Sequence, residues 1–186
     1  MASHIFKNVM AAAAVMFGLA TAAHGQTFSD AFAGFGANDG APIEIEASEL
    51  RVEDQNSTAT FVGDVLVTQG DTSLKTQRLK VFYAGSGTDD GGQAVQQKIS
   101  RLEAAGGVYI SSKDQTATGN AASFDMTREI MIMTGQEVVL SQGPNVVVGN
   151  RLTVNLKTGK ADLQAAPSNG GTGRVKVRIQ PNSVQN

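Results

Sequence analysis

The chain has 186 residues and a formal net charge of −2, with 41% hydrophobic and 17% charged residues. This length fits one domain behind a leader, and the near-neutral charge argues against nucleic acid, which needs a concentrated basic surface. Cysteine is absent and the two histidines, His4 and His24, lie in the first 25 residues. Because the rest of the chain lacks thiol and imidazole groups, it is predicted to be neither an enzyme nor a cofactor or metal protein.

Residues 1–25 have the pattern of a cleaved secretory signal peptide. Lys7 supplies the positive charge, residues 9–20 form the apolar stretch, and the small residues Ala23 and Gly25 allow cleavage before Gln26. The apolar stretch is shorter than the roughly 20 residues that a membrane-spanning helix needs. Export is therefore favoured over a membrane anchor.

Residues 26–41 are rich in glycine and alanine and carry Phe28, Phe32 and Phe35 at helical spacing. The glycines favour a flexible N-terminal segment. The phenylalanine spacing also fits a short amphipathic helix that docks on a partner.

From Pro42 onward, apolar and polar residues alternate with a two-residue period, which is typical of strands with one buried face. Turn-forming residues separate these runs, and a polar insertion, Gly85–Gln93, is predicted to be a loop. The sequence therefore predicts an all-β body. The predicted strands are Ile43–Ala47, Leu50–Glu53, Val65–Val67, Leu79–Val81, Val108–Ile110, Leu152–Leu156 and Val175–Ile179.

An internal repeat underlies this alternation. Similar hexapeptides begin at Ala47, Thr76, Gly119 and Gly149, and units of about 30 residues must stack to bury an apolar face. A second landmark, a glycine shortly before a valine, recurs at Gly63, Gly106 and Gly135, and the extra residue after Gly135 indicates a β-bulge. Stacked repeats of short antiparallel strands with two facing walls are expected, as in a jelly roll or a β-solenoid.

The repeated motifs also support a family resemblance. ASELRVEDQNSTATFVGDVLVTQGDTSLKTQRLKVFY, TGQEVVLSQGPNVVVGNRLTVNLKTGKADL and the late GRVKVRIQP stand in this order within residues 42–181. This region resembles the OstA-like (organic solvent tolerance) family of periplasmic lipopolysaccharide transport proteins. The resemblance implies that residues 42–181 form one open, twisted β jelly-roll domain, followed by a tail at 182–186.

The resemblance further implies a function and partners. Members of that family are periplasmic and shelter the acyl chains of lipopolysaccharide (lipid A) in an apolar groove. They self-associate end to end, and they meet an anchored inner-membrane protein and an outer-membrane protein with similar β folds. They need no catalytic residues, because an ATP-driven extractor at the inner membrane supplies the energy.

The inward positions of the repeated strands are the candidate lipid-binding residues, and the same pattern would also serve to fill a core. The run 130–133 is apolar on both faces, so its inward side stays open. The candidates are Ile45, Leu50, Val52, Phe61, Val65, Val67, Leu79, Val81, Val108, Ile110, Phe124, Val138, Leu140, Val148, Leu152 and Val154.

The first and last strands are the candidate partner-docking edges, because edge strands carry unpaired backbone groups. The docking residues are Ile43, Ile45, Val175, Val177 and Ile179. The alternative is that the flanking charges keep these edges from pairing.

A related protein of the same pathway, such as the anchored inner-membrane partner, is disfavoured by the predicted cleavable leader. Two further competing functions remain. One is a structural β-repeat module that binds protein partners without lipid. The other is a carbohydrate-active enzyme on a β-helix, which would place carboxylates at repeat-related positions. The repeat-related residues Leu50, Leu79, Ala122 and Leu152 are apolar, which disfavours the enzyme.

Overall fold

The computed structural model describes residues 41–84, 98–166 and 173–181. The predicted signal peptide, residues 26–40, the predicted loop Gly85–Gln93 and the tail 182–186 lie outside these ranges. Within the described ranges, no helix has the length and apolar character needed to cross a membrane.

The described ranges contain ten strands and one short 3₁₀ helix, Asp54–Asn56, which confirms the all-β prediction. The central strands are much longer than the predicted runs, up to 15 residues in β5. The strands are β1 Glu44–Glu46, β2 Glu49–Glu53, β3 Thr58–Gln69, β4 Thr72–Ala84, β5 Lys98–Ser112, β6 Gln115–Asp125, β7 Ile130–Gln142, β8 Asn145–Asn155, β9 Ala161–Gln164 and β10 Lys176–Arg178.

All ten strands belong to one antiparallel sheet. Strands β3 to β8 follow one another in chain order, each paired with the next. At one edge β1 and β2 both pair with β3, and at the other edge β9 and β10 both pair with β8. The two edges do not pair with each other, so the sheet is open, as predicted.

A line of register shifts crosses the middle of the long strands, and we call it the fold line. It lies between Val62 and Val65 on β3, and between Ala105 and Val108 on β5. The halves that pair with β1 and β10 form the first wall, and those that pair with β2 and β9 form the second wall. The first wall comprises 65–69, 72–76, 108–112, 115–119, 138–142 and 145–149, and the second wall comprises 58–62, 78–84, 98–105, 121–125, 130–134 and 151–155.

Glycines allow the chain to turn at the fold line. Gly63, Gly106 and Gly107 have φ values of 82°, 89° and 92°, a region that side chains with a Cβ atom rarely adopt. A Cβ atom on Gly106 would lie 2.9 Å from the Cβ atom of Gln77. The glycine–valine landmark therefore marks the points where strands cross the fold line, and the predicted bulge after Gly135 is present between β7 and β8.

The core lies between the two walls. Val67 and Ile110 of the first wall and Leu79 and Val81 of the second wall belong to one buried apolar cluster. Because the described chain has only the short 3₁₀ helix besides its strands, this burial requires the two walls to cover each other. The result is a folded-over sheet with an inner face and an outer face, which agrees with the predicted open jelly roll.

Candidate functional site

Antiparallel pairing arranges the inner side chains in rows that run across the sheet, since directly opposed residues project from the same face. The second wall has two such rows, and each is apolar from one edge to the other. They are Leu50, Phe61, Leu79, Ala104, Ala122, Met133, Leu152, Leu163, and Val52, Ala59, Val81, Leu102, Phe124, Met131, Val154, Ala161.

The first wall continues the apolar surface. One complete row joins the residues Ile45, Val67, Leu74, Ile110, Ala117, Leu140, Val147 and Val177. Beside the fold line, Val65, Val108 and Val138 are also buried. The inner face thus offers a strip of apolar side chains that reaches both edges of the sheet.

Nearly all candidate lipid-binding residues lie on this inner face, although their contact with lipid remains a prediction. Ile45 and Phe61 are half-buried, whereas Leu50 and Val52 on the edge strand β2 are 54% and 63% exposed. The buried ones are Val65, Val67, Leu79, Val81, Val108, Ile110, Phe124, Val138, Leu140, Leu152 and Val154.

The inward assignment of Val148 is wrong. Val148 pairs with Val139, while the inner residue Leu140 pairs with Val147, so Val148 projects from the outer face. The prediction continues the two-residue alternation from Leu152 back to Val148, across the fold line. The phase of the alternation changes there, and three consecutive valines give no signal of that change.

The structure also assigns residues that sequence reasoning left open or missed. Met131 and Met133 are fully buried on the inner face, and their neighbours Ile130 and Ile132 project outward and are half-buried. Leu74 and Leu102 are buried inner residues absent from the prediction. For Leu102, the alternation Arg101-Leu102-Glu103-Ala104 is a signal that would have found it.

The inner apolar strip is closed along its centre and open at its ends. Leu79, Val81, Phe124 and Leu152 have no solvent exposure, so the walls touch in the isolated chain. At the β2 edge Leu50 and Val52 meet solvent, as does Val177 at the β10 edge, where it is 59% exposed. An apolar ligand would therefore enter only if the walls separate or from an end of the strip.

A second set of inner side chains is polar, and we call it the inner polar row. It lies at the hairpin ends of the first wall, one step beyond the Val67 row, and sequence reasoning missed it. The Thr72 Oγ1 donates to the Ser112 Oγ at 3.1 Å, and the Gln69 Nε2 donates to the Ala41 carbonyl at 3.2 Å. The row consists of Gln69, Thr72, Ser112, Gln115, Gln142 and Asn145.

The two edges of the first wall carry opposite charges on the outer face. Glu44 and Glu46 flank the inner Ile45 on β1, and Lys176 and Arg178 flank the inner Val177 on β10. These four charged side chains are exposed. The predicted docking residues Ile43, Val175 and Ile179 lie just outside the two strands; Ile43 is half-buried, and Val175 and Ile179 are exposed.

The second-wall edge strand β2 carries its own ion pair. The Arg51 Nε lies 2.6 Å from the Glu49 Oε1, and the side-chain hydrogen bond from Arg51 lowers the pKa of Glu49. Among the described residues, no three His, Cys, Asp or Glu side chains form a group able to hold a metal ion.

Comparison with known proteins gives consistent matches. The model of the family described as LptA/(LptD N-terminal domain) LPS transport protein matches residues 44–160. An uncharacterised protein of Rhizobium meliloti (strain 1021) is 38% identical over 166 residues, or 89% of this chain and 85% of that protein. The lipopolysaccharide export system protein LptA of Escherichia coli (strain K12) is 26% identical over 158 residues, or 83% of this chain and 79% of that protein.

A solved structure has the same fold. It is LptH of Pseudomonas aeruginosa, described as the LptA homologous periplasmic component of the conserved lipopolysaccharide transport device. The TM-score is 0.59 at 20% identity, and the match covers 76% of this chain and 97% of that chain. Because the family model matches more than half of the chain, the protein belongs to the lipopolysaccharide transport family that contains LptA and the N-terminal domain of LptD.

Proposed function

We propose that this protein carries lipopolysaccharide through the periplasm and shelters the acyl chains of lipid A between its two walls. The observation that carries the proposal is that the inner rows are apolar from one edge of the sheet to the other. Family membership supports the cargo, and the periplasmic description of LptH supports the compartment. In this proposal, the carrier receives lipid from an inner-membrane partner and passes it to an outer-membrane partner, both with similar β folds.

The energetics of acyl-chain transfer suit such a strip. Each methylene withdrawn from water contributes about 0.8 kcal/mol, so a single chain supplies a substantial free energy to part the walls. Met131 and Met133 are buried members of the two second-wall rows, and their flexible thioethers adapt to chains of different shape. The acyl chains would replace the contacts that the walls now make with each other.

The edges support end-to-end association of copies of the chain. Eight strands cross the first wall, all antiparallel, so β10 of one copy can add to β1 of the next and keep the antiparallel pattern. Extending the rows across this joint places Val177 opposite Ile45. It also places Arg178 opposite Glu44 and Lys176 opposite Glu46, so opposite charges face each other across the joint.

The same joint would make the apolar strip continuous. In the second wall, extending the rows brings Leu163 beside Leu50 and Ala161 beside Val52 of the next copy. The exposed side chains of Leu50 and Val52 would then be buried. A lipid could pass from copy to copy without its acyl chains entering water.

Site-specific crosslinking in cells tests the lipid proposal. A photoreactive amino acid at Val81 or Leu152 faces the strip, whereas Lys80 and Thr153 lie beside them on the outer face and serve as matched controls. We expect lipopolysaccharide adducts at the first pair alone. If the folded, exported protein gives no adducts at any position, the alternative function, a β module that binds protein partners without lipid, is supported instead. The observation that favours this alternative is that the walls touch along the centre of the strip.

Charge reversal tests the joint. Glu44→Lys with Glu46→Lys is expected to weaken self-association, because the reversed edge then repels Lys176 and Arg178. Adding Lys176→Glu and Arg178→Glu in the same chain restores opposite charges and should recover association in sedimentation velocity at low salt. If the charges instead guard the edges, neither the loss nor the recovery will be seen.

A further inference from the structure

The two walls end differently at their tips, which are the hairpin ends farthest from the fold line. At the tip of the second wall, Tyr83, Ile99 and Met126 pack against the core and Leu156 is buried. At the tip of the first wall the inner side chains are those of the inner polar row. The interior is therefore apolar up to one rim and polar at the other.

The inner polar row contains a hydrogen-bond acceptor without a partner. Gln69 is only 9% exposed, and although its Nε2 donates to Ala41, its buried Oε1 accepts no hydrogen bond. A buried acceptor of this kind destabilises the folded protein unless a donor reaches it. Thr72, Ser112 and Gln115 in the same row are also buried, so the unpaired oxygen belongs to a built polar surface.

The chemistry of the row restricts the ligand. All six side chains are neutral amides or hydroxyls, which pair with hydroxyl and amide groups. The row offers no cation, whereas strong recognition of phosphate uses arginine or lysine. The unpaired Gln69 oxygen requires a donor, and a fully ionised phosphate has none to give.

We infer that the inner polar row binds the sugar headgroup of an acylated amino sugar, through its hydroxyl or amide N–H groups, and so orients the cargo. This inference rests on the proposed function and adds the site of the headgroup to it. Successive inner rows lie about 7 Å apart along a strand, so a headgroup held here places its acyl chains directly on the row of Val67, Leu74 and Ile110. The phosphates would lie outside the row.

The position of the row also suits entry of a lipid. The backbone hydrogen bonds of the sheet join neighbouring strands within each wall, and none of these strand pairings joins the tip of one wall to the tip of the other. Parting the walls at the tips therefore breaks no ladder hydrogen bond, whereas the fold line is continuous chain. A headgroup at the tip stays near water while its acyl chains reach toward the fold line.

Paired binding measurements on the full chain test this inference. Gln69→Met and, as a separate variant, Gln142→Met each remove an amide from the inner polar row with little change in size. Ser111→Ala is the matched control, because it removes a hydroxyl from the outer face of β5, next to Ser112 of the inner polar row. Dissociation constants are measured for lipid A and for myristic acid, which has acyl methylenes but no sugar, and thermal melting checks the fold of each variant.

We expect Gln69→Met to bind lipid A about tenfold more weakly, equivalent to about 1.4 kcal/mol, and Gln142→Met to show a smaller loss. Binding of myristic acid should not change, and Ser111→Ala should behave like the wild type with both ligands. Unchanged lipid A binding in both folded variants, or an equal loss for both ligands, would overturn the inference alone. Failure of the wild-type protein to bind either ligand would overturn the proposed function as well.

Discussion

The centre and the ends of the apolar strip have the same chemistry but opposite exposure. Leu79 and Leu152 are fully buried, whereas Leu50, in the same row, is 54% exposed. Leu79 and Leu152 have a strand on each side, but Leu50 lies on an edge strand paired only with β3. The difference shows that a continuing sheet, not residue type, buries an inner position, and it identifies the two ends as surfaces suited to a further strand.

The largest test of this comparison is truncation at the centre of the strip. Phe124→Ala should lower the free energy of unfolding by about 3–5 kcal/mol, because it leaves a cavity between closed walls. Leu50→Ala at the end of the strip should cost well under half of that, since its side chain is already in solvent. Urea unfolding at a concentration where the protein is monomeric measures both, and equal losses would contradict the comparison.

A second test concerns the fold line, which brings the two halves of the strip together. Gly106→Ala should destabilise the protein by about 1–3 kcal/mol, because its backbone conformation is strained for a residue with a Cβ atom and the added Cβ would lie 2.9 Å from the Gln77 Cβ. Gly70→Ala in the β3–β4 turn is the matched control, since φ is also positive there but no atom lies within 4 Å of the added Cβ. A loss for Gly70→Ala as large as that for Gly106→Ala would show that the close approach to Gln77 contributes nothing.

The smallest effect on stability is expected at the ends. Leu50→Ser with Val52→Ser should change the unfolding free energy of the monomer by less than about 0.5 kcal/mol per substitution. Self-association should still weaken at least tenfold, because each side chain loses about 1.5–3 kcal/mol of burial in the joint. Unchanged association in analytical ultracentrifugation would show that the end-to-end joint does not form through this edge.

Much of the fold could be predicted because the internal repeat and the two-residue alternation independently indicate the same inward-facing residues. The repeat-related residues Leu50, Leu79, Ala122 and Leu152 do lie in a single row of the second wall. Strand lengths could not be read in this way. On β4, β6, β7 and β8 the alternation changes phase at the fold line, and each of the six long strands has an inward polar residue at the tip of the first wall. Only the strictly alternating parts of these strands therefore resemble strands in the sequence.

The site was less predictable for the same reason. Alternation assigned Val81 and Phe124 to the inner face but failed at Val148, because the valine run beside the fold line gives no signal that the phase changes between Gly149 and Leu152. The sequence gives no signal that Gln69 and Gln115 are buried, since amides are mostly exposed in globular proteins. Their burial depends on the folding of the sheet into two walls, which the local alternation does not indicate.

The even number of strands that cross each wall limits how a protein of this plan can change length. The repeated hexapeptides coincide with β2 and with the second-wall halves of β4, β6 and β8. Because they recur on every second strand, one repeat corresponds to one hairpin. Gain or loss of a whole hairpin changes the strand count by two and leaves the outer strands running in opposite directions. Gain of a single strand would give both edges the same direction and would turn an antiparallel joint into a parallel one. We therefore expect natural length variants of this plan to differ by whole hairpins.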